Sequence, residues 1–174
     1  MVANFIEIFW YGCRHCEKFE PLLQDWIKQL PAGSRFSRSP AIWSEPMMVH
    51  ARAYYVANSL QLGHQFHMKL FTRILGLRAS SDLAYHRRSI GQLFKVNGVG
   101  EAQFNELYDS DQVSKQVRFS RGLMKAAVIN STPSFLINGK YVLTATGFKS
   151  RQEMLALAKA LLVSEMNSQP SDWW

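Results

Sequence analysis

Two cysteines, Cys13 and Cys16, stand in this chain with only Arg14 and His15 between them. Sulfurs at that spacing can hold a metal, close a structural disulfide, or exchange disulfides with other thiols. As a staple the pair does little. A cross-link stabilises by limiting the unfolded chain, and the effect shrinks with the loop it closes. A zinc site would need two further ligands. His64 and His67 lie one helical turn apart, but far outside finger spacing from Cys16. Within a helical pattern the commoner place for such histidines is the solvated face. No metal is therefore expected.

Disulfide exchange fits the surroundings better. Residues 5–10 form an apolar, β-prone run broken only by Glu7, and a helical pattern opens directly after it, near Cys13. A cysteine at a helix start meets unpaired backbone N–H groups and the positive end of the helix dipole, both of which favour an anion. Its pKa falls and its thiolate fraction rises. Arg14 adds positive charge beside Cys13, and a protonated His15 would do the same. Cys16, one turn further in, is more shielded and suited to resolving mixed disulfides. A distant feature joins this pair: Thr132-Pro133, directly before a strand signal at 134–137. The base-rate reading of Pro133 is a trans turn proline. The sharper one is a cis proline facing the cysteines and presenting the Thr132 backbone to a peptide.

The elements around these residues can be read from spacing. Apolar residues Phe19, Leu22, Leu23, Trp26, Ile27 and Leu30 make one wide helical face after the cysteines, with Pro21 inside it as an expected bend. A second strand is expected over 35–39, closing at Pro40. From about 47 to 127 the pattern is helical throughout, over 47–62, 65–77, 82–96, 101–108 and 111–127, with Ser81 and Ser110 as caps. Strand signals return at 134–137 and 141–143, joined by Asn138-Gly139, a pair that tolerates positive φ at both positions. Ser150 and Glu153 form a capping box that opens a last helix to about Met166. The expected units are 1–46 with 128–166, a helical insertion at 47–127, and a flexible tail at 167–174. Trp173-Trp174 in that tail has no evident role.

Composition bounds the class. With 174 residues, 47% hydrophobic and 19% charged, the chain can bury a core of its own. No apolar run approaches the ~18 residues of a membrane span. A net charge of +7 invites a nucleic-acid reading, but the basic residues are scattered and Arg87-Arg88 is the only adjacent pair. Nucleic acid is not the expected partner; a solvated basic surface is. No signal peptide is legible, so the expectation is either a cytoplasmic chain or a mature form whose leader has been removed.

Residues Glu7 to Pro21, with Phe9, Trp10, Gly12, Cys13, His15, Cys16, Phe19 and Glu20, resemble the DsbA-type thiol:disulfide oxidoreductases of the thioredoxin superfamily. Thr132 to Tyr141 is similar to the cis-proline strand and hairpin of that family. The long stretch between Cys16 and Pro133 matches its helical insertion, and the likeness spans roughly residues 4–166. The resemblance implies an α/β thioredoxin fold with an all-helical insertion domain. It implies Cys13 as nucleophile, Cys16 as resolving cysteine, His15 as main thiolate stabiliser and Pro133 as cis proline. Glu7 and Glu20 match acidic positions that tune the site, a buried Glu7 being a candidate proton carrier, although a helix-face Glu20 is more often solvated.

No cofactor beyond the redox disulfide is implied. The implied partners are cysteine-containing clients and a quinone-linked membrane oxidase for reoxidation, with a periplasmic location and a monomeric state. The implied activity is oxidation of client dithiols. Reduction or isomerisation of disulfides, and a peptide-binding, chaperone-like role with idle cysteines, are the alternatives. Three features depart from the family: Arg14 stands where proline is usual, Thr132 where valine is frequent, and the chain starts almost at its first strand, which reads as a shortened N-terminus.

Overall fold

A computed structural model describes residues 2–168 of the chain. The order is β1 (Ala3–Phe9), α1 (Arg14–Ile27), β2 (Ser34–Pro40), α2 (Glu45–Ser59), α3 (Gly63–Leu75), α4 (Leu83–Val96), α5 (Glu101–Tyr108), α6 (Asp111–Ala126), β3 (Ser134–Ile137), β4 (Tyr141–Thr144), a 3-10 turn and α7 (Arg151–Asn167). The sheet runs β2-β1-β3-β4, with β1 parallel to β2 and antiparallel to β3. This is an α/β thioredoxin-type fold carrying an inserted block of helices, as expected from the resemblance. No described helix is long and apolar enough to cross a membrane.

The alternation of β1 sets the site. Phe5, Glu7 and Phe9 share one face of the strand, and all three are fully buried. Phe5 packs with Phe19 and Leu23 of α1, Phe135 of β3 and the buried stripe Met154, Leu155, Ala158 and Leu162 of α7. Phe9 instead reaches the core of the inserted helices, against Tyr11, Tyr54 and Phe71. Glu7 is thus a carboxyl group set between two hydrophobic cores.

Local signals explain most boundaries. The β3–β4 turn takes φ 51° at Asn138 and 70° at Gly139, the conformation for which that pair is suited. Ser110 and Ser150 cap α6 and α7 through their hydroxyls. At α4 the cap is Asp82 rather than Ser81, because the Asp82 carboxylate accepts the Tyr85 N–H at 2.9 Å. Helix α2 starts before the expected Met47, with Pro46 in its first turn, where a missing donor costs nothing. Helix α1 runs on through Pro21. Asn167, expected in the tail, lies in α7. The rest of the expected tail after Ser168, including Trp173-Trp174, lies outside the described residues.

Candidate active site

Cys13 is the N-cap of α1. Its sulfur accepts the Cys16 N–H at 3.2 Å, as a side chain at that position does for the open donors of the first turn. Both thiols are free; Cys16 is buried and Cys13 half-buried. The loop before them is tight. A Cβ on Gly12 would stand 2.3 Å from the Trp10 indole, so only glycine fits there. From the far end of the chain the Thr132–Pro133 peptide, which is cis, comes alongside. The Cys13 thiol points at the Thr132 carbonyl, 3.7 Å away. Residues separated by more than a hundred positions thus form one face.

The two sulfurs differ sharply in acidity. Cys13 is lowered to about 6, first by its hydrogen bond with the Cys16 thiol, then by one from the Thr132 side chain and by the backbone N–H groups of Cys16 and His15, which together outweigh burial. Burial, together with the neighbouring Cys13 charge, raises Cys16 well above the ordinary thiol range. At neutral pH the outer sulfur is therefore mainly thiolate and the inner one a thiol. Arg14 and His15 are both exposed beside Cys13, where they line a hollow of ≈ 510 Å³ with Trp10, Trp43, Arg78 and Thr132. His15 contributes to the acidity of Cys13 through its backbone N–H.

Beneath the cysteines lies a charged cluster. The parallel register places Glu7 opposite Arg38, and Arg38 Nε donates to Glu7 Oε2 at 2.7 Å. Arg38 also donates from Nη2 to both oxygens of Glu20, at 3.2 and 3.0 Å. Two buried carboxyls share one guanidinium, which cannot hold both ionised at equal cost. They split accordingly. Burial pushes Glu7 up to about 8 against the pull of Arg38. Glu20 is buried too, yet its hydrogen bond with His67 and the charge of Arg38 hold it below the usual carboxylate range. Glu7 Oε1 has no hydrogen-bond partner, so an ionised Glu7 would bury an uncompensated oxygen, a cost that protonation lowers.

Glu20 was expected on the solvated face of its helix; it is fully buried instead. His67 likewise is not a surface residue. It is 7% exposed, with Nε2 3.2 Å from Glu20 Oε1 and Nδ1 2.7 Å from the Tyr11 hydroxyl. The physical reason is that α3 packs against α1, so each buries a polar side chain that finds its partner on the other. His64 lies 3.6 Å from the same carboxylate, so both histidines face Glu20 and not the sulfurs. No group of three or more potential metal ligands occurs among the described residues.

Sequence reasoning missed Arg38, His67, Tyr11 and His50. The signal for His67 was present: Leu70, Phe71 and Ile74 follow it at 3, 4 and 7 residues, the spacing of a buried face. For Arg38 the signal was a charge in a strand destined to pair with β1. His50 receives the Trp10 indole N–H at 3.0 Å, and nothing local announced that contact.

The comparisons with known proteins bear on this site. No family model matches the chain. It is 27% identical over 161 residues to the thiol:disulfide interchange protein DsbA of Pseudomonas syringae, covering 92% of this chain and 73% of that one. It is 29% identical over 160 residues to DsbA of Pseudomonas aeruginosa, covering 92% and 74%. The crystal structure of Pseudomonas aeruginosa DsbA superimposes with a TM-score of 0.84 at 27% identity, over 95% of this chain and 84% of that chain.

Proposed function

We propose that this chain, being a DsbA-type thiol:disulfide oxidoreductase of the thioredoxin superfamily, works as a dithiol oxidase that introduces disulfides into client proteins through Cys13 and Cys16. The observation that carries this reading is the contrast between the two sulfurs, one a capped, acidic thiol at a helix start and the other buried and weakly acidic.

The cycle begins with the Cys13–Cys16 bond closed. A client thiolate attacks Cys13 Sγ and the S–S bond breaks. The electron pair leaves on Cys16, whose high pKa makes it take up a proton. Glu7, protonated up to about 8 and unpartnered at Oε1, is the group placed to supply that proton from below. A second client thiolate then attacks the client sulfur of the mixed disulfide and expels Cys13 as a thiolate. The client is oxidised and the enzyme has gained two electrons. Because the Cys13 thiolate is stabilised, it leaves readily and the reduced enzyme is favoured. DsbA is itself the reference case for that logic, at about −120 mV against about −270 mV for thioredoxin, so the direction of the reaction comes to this chain from its family.

In this scheme Arg14 sets the charge beside Cys13 and His15 lends its backbone N–H, while Thr132 and Pro133 offer backbone to the client segment. Glu20 keeps Arg38 in place under Glu7. The electrons are passed on to a quinone-linked membrane oxidase, and the reaction belongs to the periplasm. A second reading, reduction or isomerisation of disulfides, is favoured by one observation: Cys13 at about 6 lies nearer the ~7 of thioredoxin than the ~3.5 of DsbA. Equilibration of the pair against glutathione separates the two. A potential above about −180 mV is expected for the oxidase, and a value near −270 mV would assign the chain to disulfide reduction. Cys16→Ser in cells is expected to accumulate mixed disulfides with clients. Their absence would leave only a peptide-binding module.

A further inference from the structure

Four cations surround the mouth of the site without an acidic partner. Arg14 and Arg78 line the ≈ 510 Å³ hollow that opens onto Cys13. Arg121 and Lys125 line an adjoining hollow of ≈ 570 Å³. Trp43, 46% exposed, walls both, so the two are joined across one indole. Neither lining contains an aspartate or glutamate. Among the described residues none of the four cations forms a salt bridge, a state shared by most Lys and Arg side chains here; what sets these four apart is that they gather around two hollows that hold no carboxylate. The second hollow has an apolar wall in Ile42, Met124 and Val128, the last of these 82% exposed.

Like charges held around exposed apolar surface are costly on both counts when the surface is empty. One occupant relieves both: a segment that brings negative charge and a large apolar side chain together. Proximity to the active-site sulfur accounts for Arg14 and Arg78, whose hollow includes Cys13. It does not account for Arg121 and Lys125, whose hollow includes neither cysteine. A charge at that distance serves whatever lies along the groove.

We propose that this groove selects client segments in extended form whose cysteine is flanked by Asp or Glu, with a bulky apolar residue seated against Trp43. The proposal rests on the dithiol-oxidase reading and names the class of client for the same site. Arg14, where the family usually carries proline, then acts on the client as well as on the sulfur: it is one end of a basic rim that continues through Arg78 to Arg121 and Lys125. The charge match acts mainly on encounter, because exposed pairs contribute more to association rate and orientation than to lasting affinity.

The test uses the full chain in its oxidised form and three dithiol peptides that differ only in the residues beside the first cysteine, Glu, Gln or Lys. At low ionic strength the Glu peptide is expected to be oxidised about tenfold faster than the Lys peptide, with the ratio falling toward one in molar salt. Charge reversal in R121E/K125E is expected to narrow or invert the ratio, and the neutral pair R121Q/K125Q to bring it part of the way. Both substituted positions are exposed, and thermal unfolding checks that each variant folds. Equal rates for the three peptides at low salt would overturn the proposal while leaving the oxidase intact. Failure to oxidise any peptide would sink the oxidase reading and this one with it. Phosphatidylglycerol vesicles that block the Glu peptide as well as its own cysteine-free copy does would also overturn it, in favour of a lipid surface.

Discussion

Trp10 and Tyr11 are neighbours in the loop before the cysteines, yet each hands its polar atom to a different buried system. Tyr11 joins the charged one, with His67, Glu20, Arg38 and Glu7. Trp10 joins a neutral one. Its indole N–H donates to His50 Nδ1, His50 Nε2 lies 3.0 Å from His86 Nδ1, and His86 Nε2 lies 3.0 Å from the Ser80 carbonyl. An indole can only donate and a carbonyl can only accept, so every proton in this second chain has one place to be. His50 is held neutral by burial, and both rings are fixed in orientation by these contacts. The charged system has two carboxyls for one guanidinium, and so it can hold or release a proton next to the sulfurs. One system can move charge; the other can only keep the loop in shape.

The difference is widest when one member is removed. Arg38→Met would leave Glu7 and Glu20 buried without their shared cation, a loss of about 3–5 kcal/mol. Urea unfolding at pH 8 is the measurement, and the loss should shrink at pH 5, where both unpaired carboxyls take up protons. A loss independent of pH would mean that packing, and not charge, sets the cost. In the neutral chain His50→Phe fills the site but leaves the Trp10 N–H and His86 Nδ1 without a partner, while His86 Nε2 keeps the Ser80 carbonyl, costing about 2 kcal/mol.

The two systems also respond to pH with opposite sign. Burial first, and then the nearby His86, lower His50 to about 3. The unfolded chain protonates this residue below ~6.5 while the folded one does not. Its contribution is therefore complete above ~6.5 and is lost as pH falls, by up to about 1.4 kcal/mol for each pH unit. Glu7 runs the other way. Its folded value of about 8 lies above the ordinary carboxylate value of 4.5, so its contribution is complete below 4.5 and is lost as pH rises through 8. His50→Phe should flatten the acid side of the stability profile, and Glu7→Gln the side from pH 5 to 8, so that Glu7→Gln gains on the parent chain as the pH rises through that range. Glu7→Gln should also slow the step in which Cys16 accepts its proton, whereas His50→Phe should leave the pH dependence of that step where it was. If both variants flatten the same limb, the division between a charged and a neutral system fails.

The same division explains what the sequence could and could not disclose. The cysteines at a helix start, the Asn138-Gly139 turn, the Ser150 cap and the helical block all follow from spacing within one element, and each was legible. The neutral and charged systems were not, because their partners meet only through tertiary register. Glu7 finds Arg38 because β1 and β2 pair in one alignment. Glu20 and His67 read as solvated because a polar residue on a helix usually is. Their burial depends on α1 and α3 turning polar residues toward each other, which no window on either helix contains. The apolar residues at 3, 4 and 7 after His67 were the one local trace of it.

The finest test of the comparison lies between the sulfurs themselves. The family resemblance gives the main part in stabilising the Cys13 thiolate to His15, whereas the geometry gives it first to the Cys16 hydrogen bond and then to donors that any residue at position 15 would keep. His15→Ala retains the backbone N–H and removes only an exposed ring. It should move Cys13 by less than about half a pH unit, as a solvated charge does beside a group with closer donors. Cys16→Ala removes the largest contribution and should raise Cys13 by more than about one pH unit. Titration of thiolate absorbance in both variants orders the two effects. Should the ring at position 15 matter more than the thiol at position 16, the acidity of Cys13 would come from exposed charge, and Arg14 would have to share the credit. Should the order be as expected, the helix start and the buried partner make the nucleophile, and the exposed cations are free to act on the client.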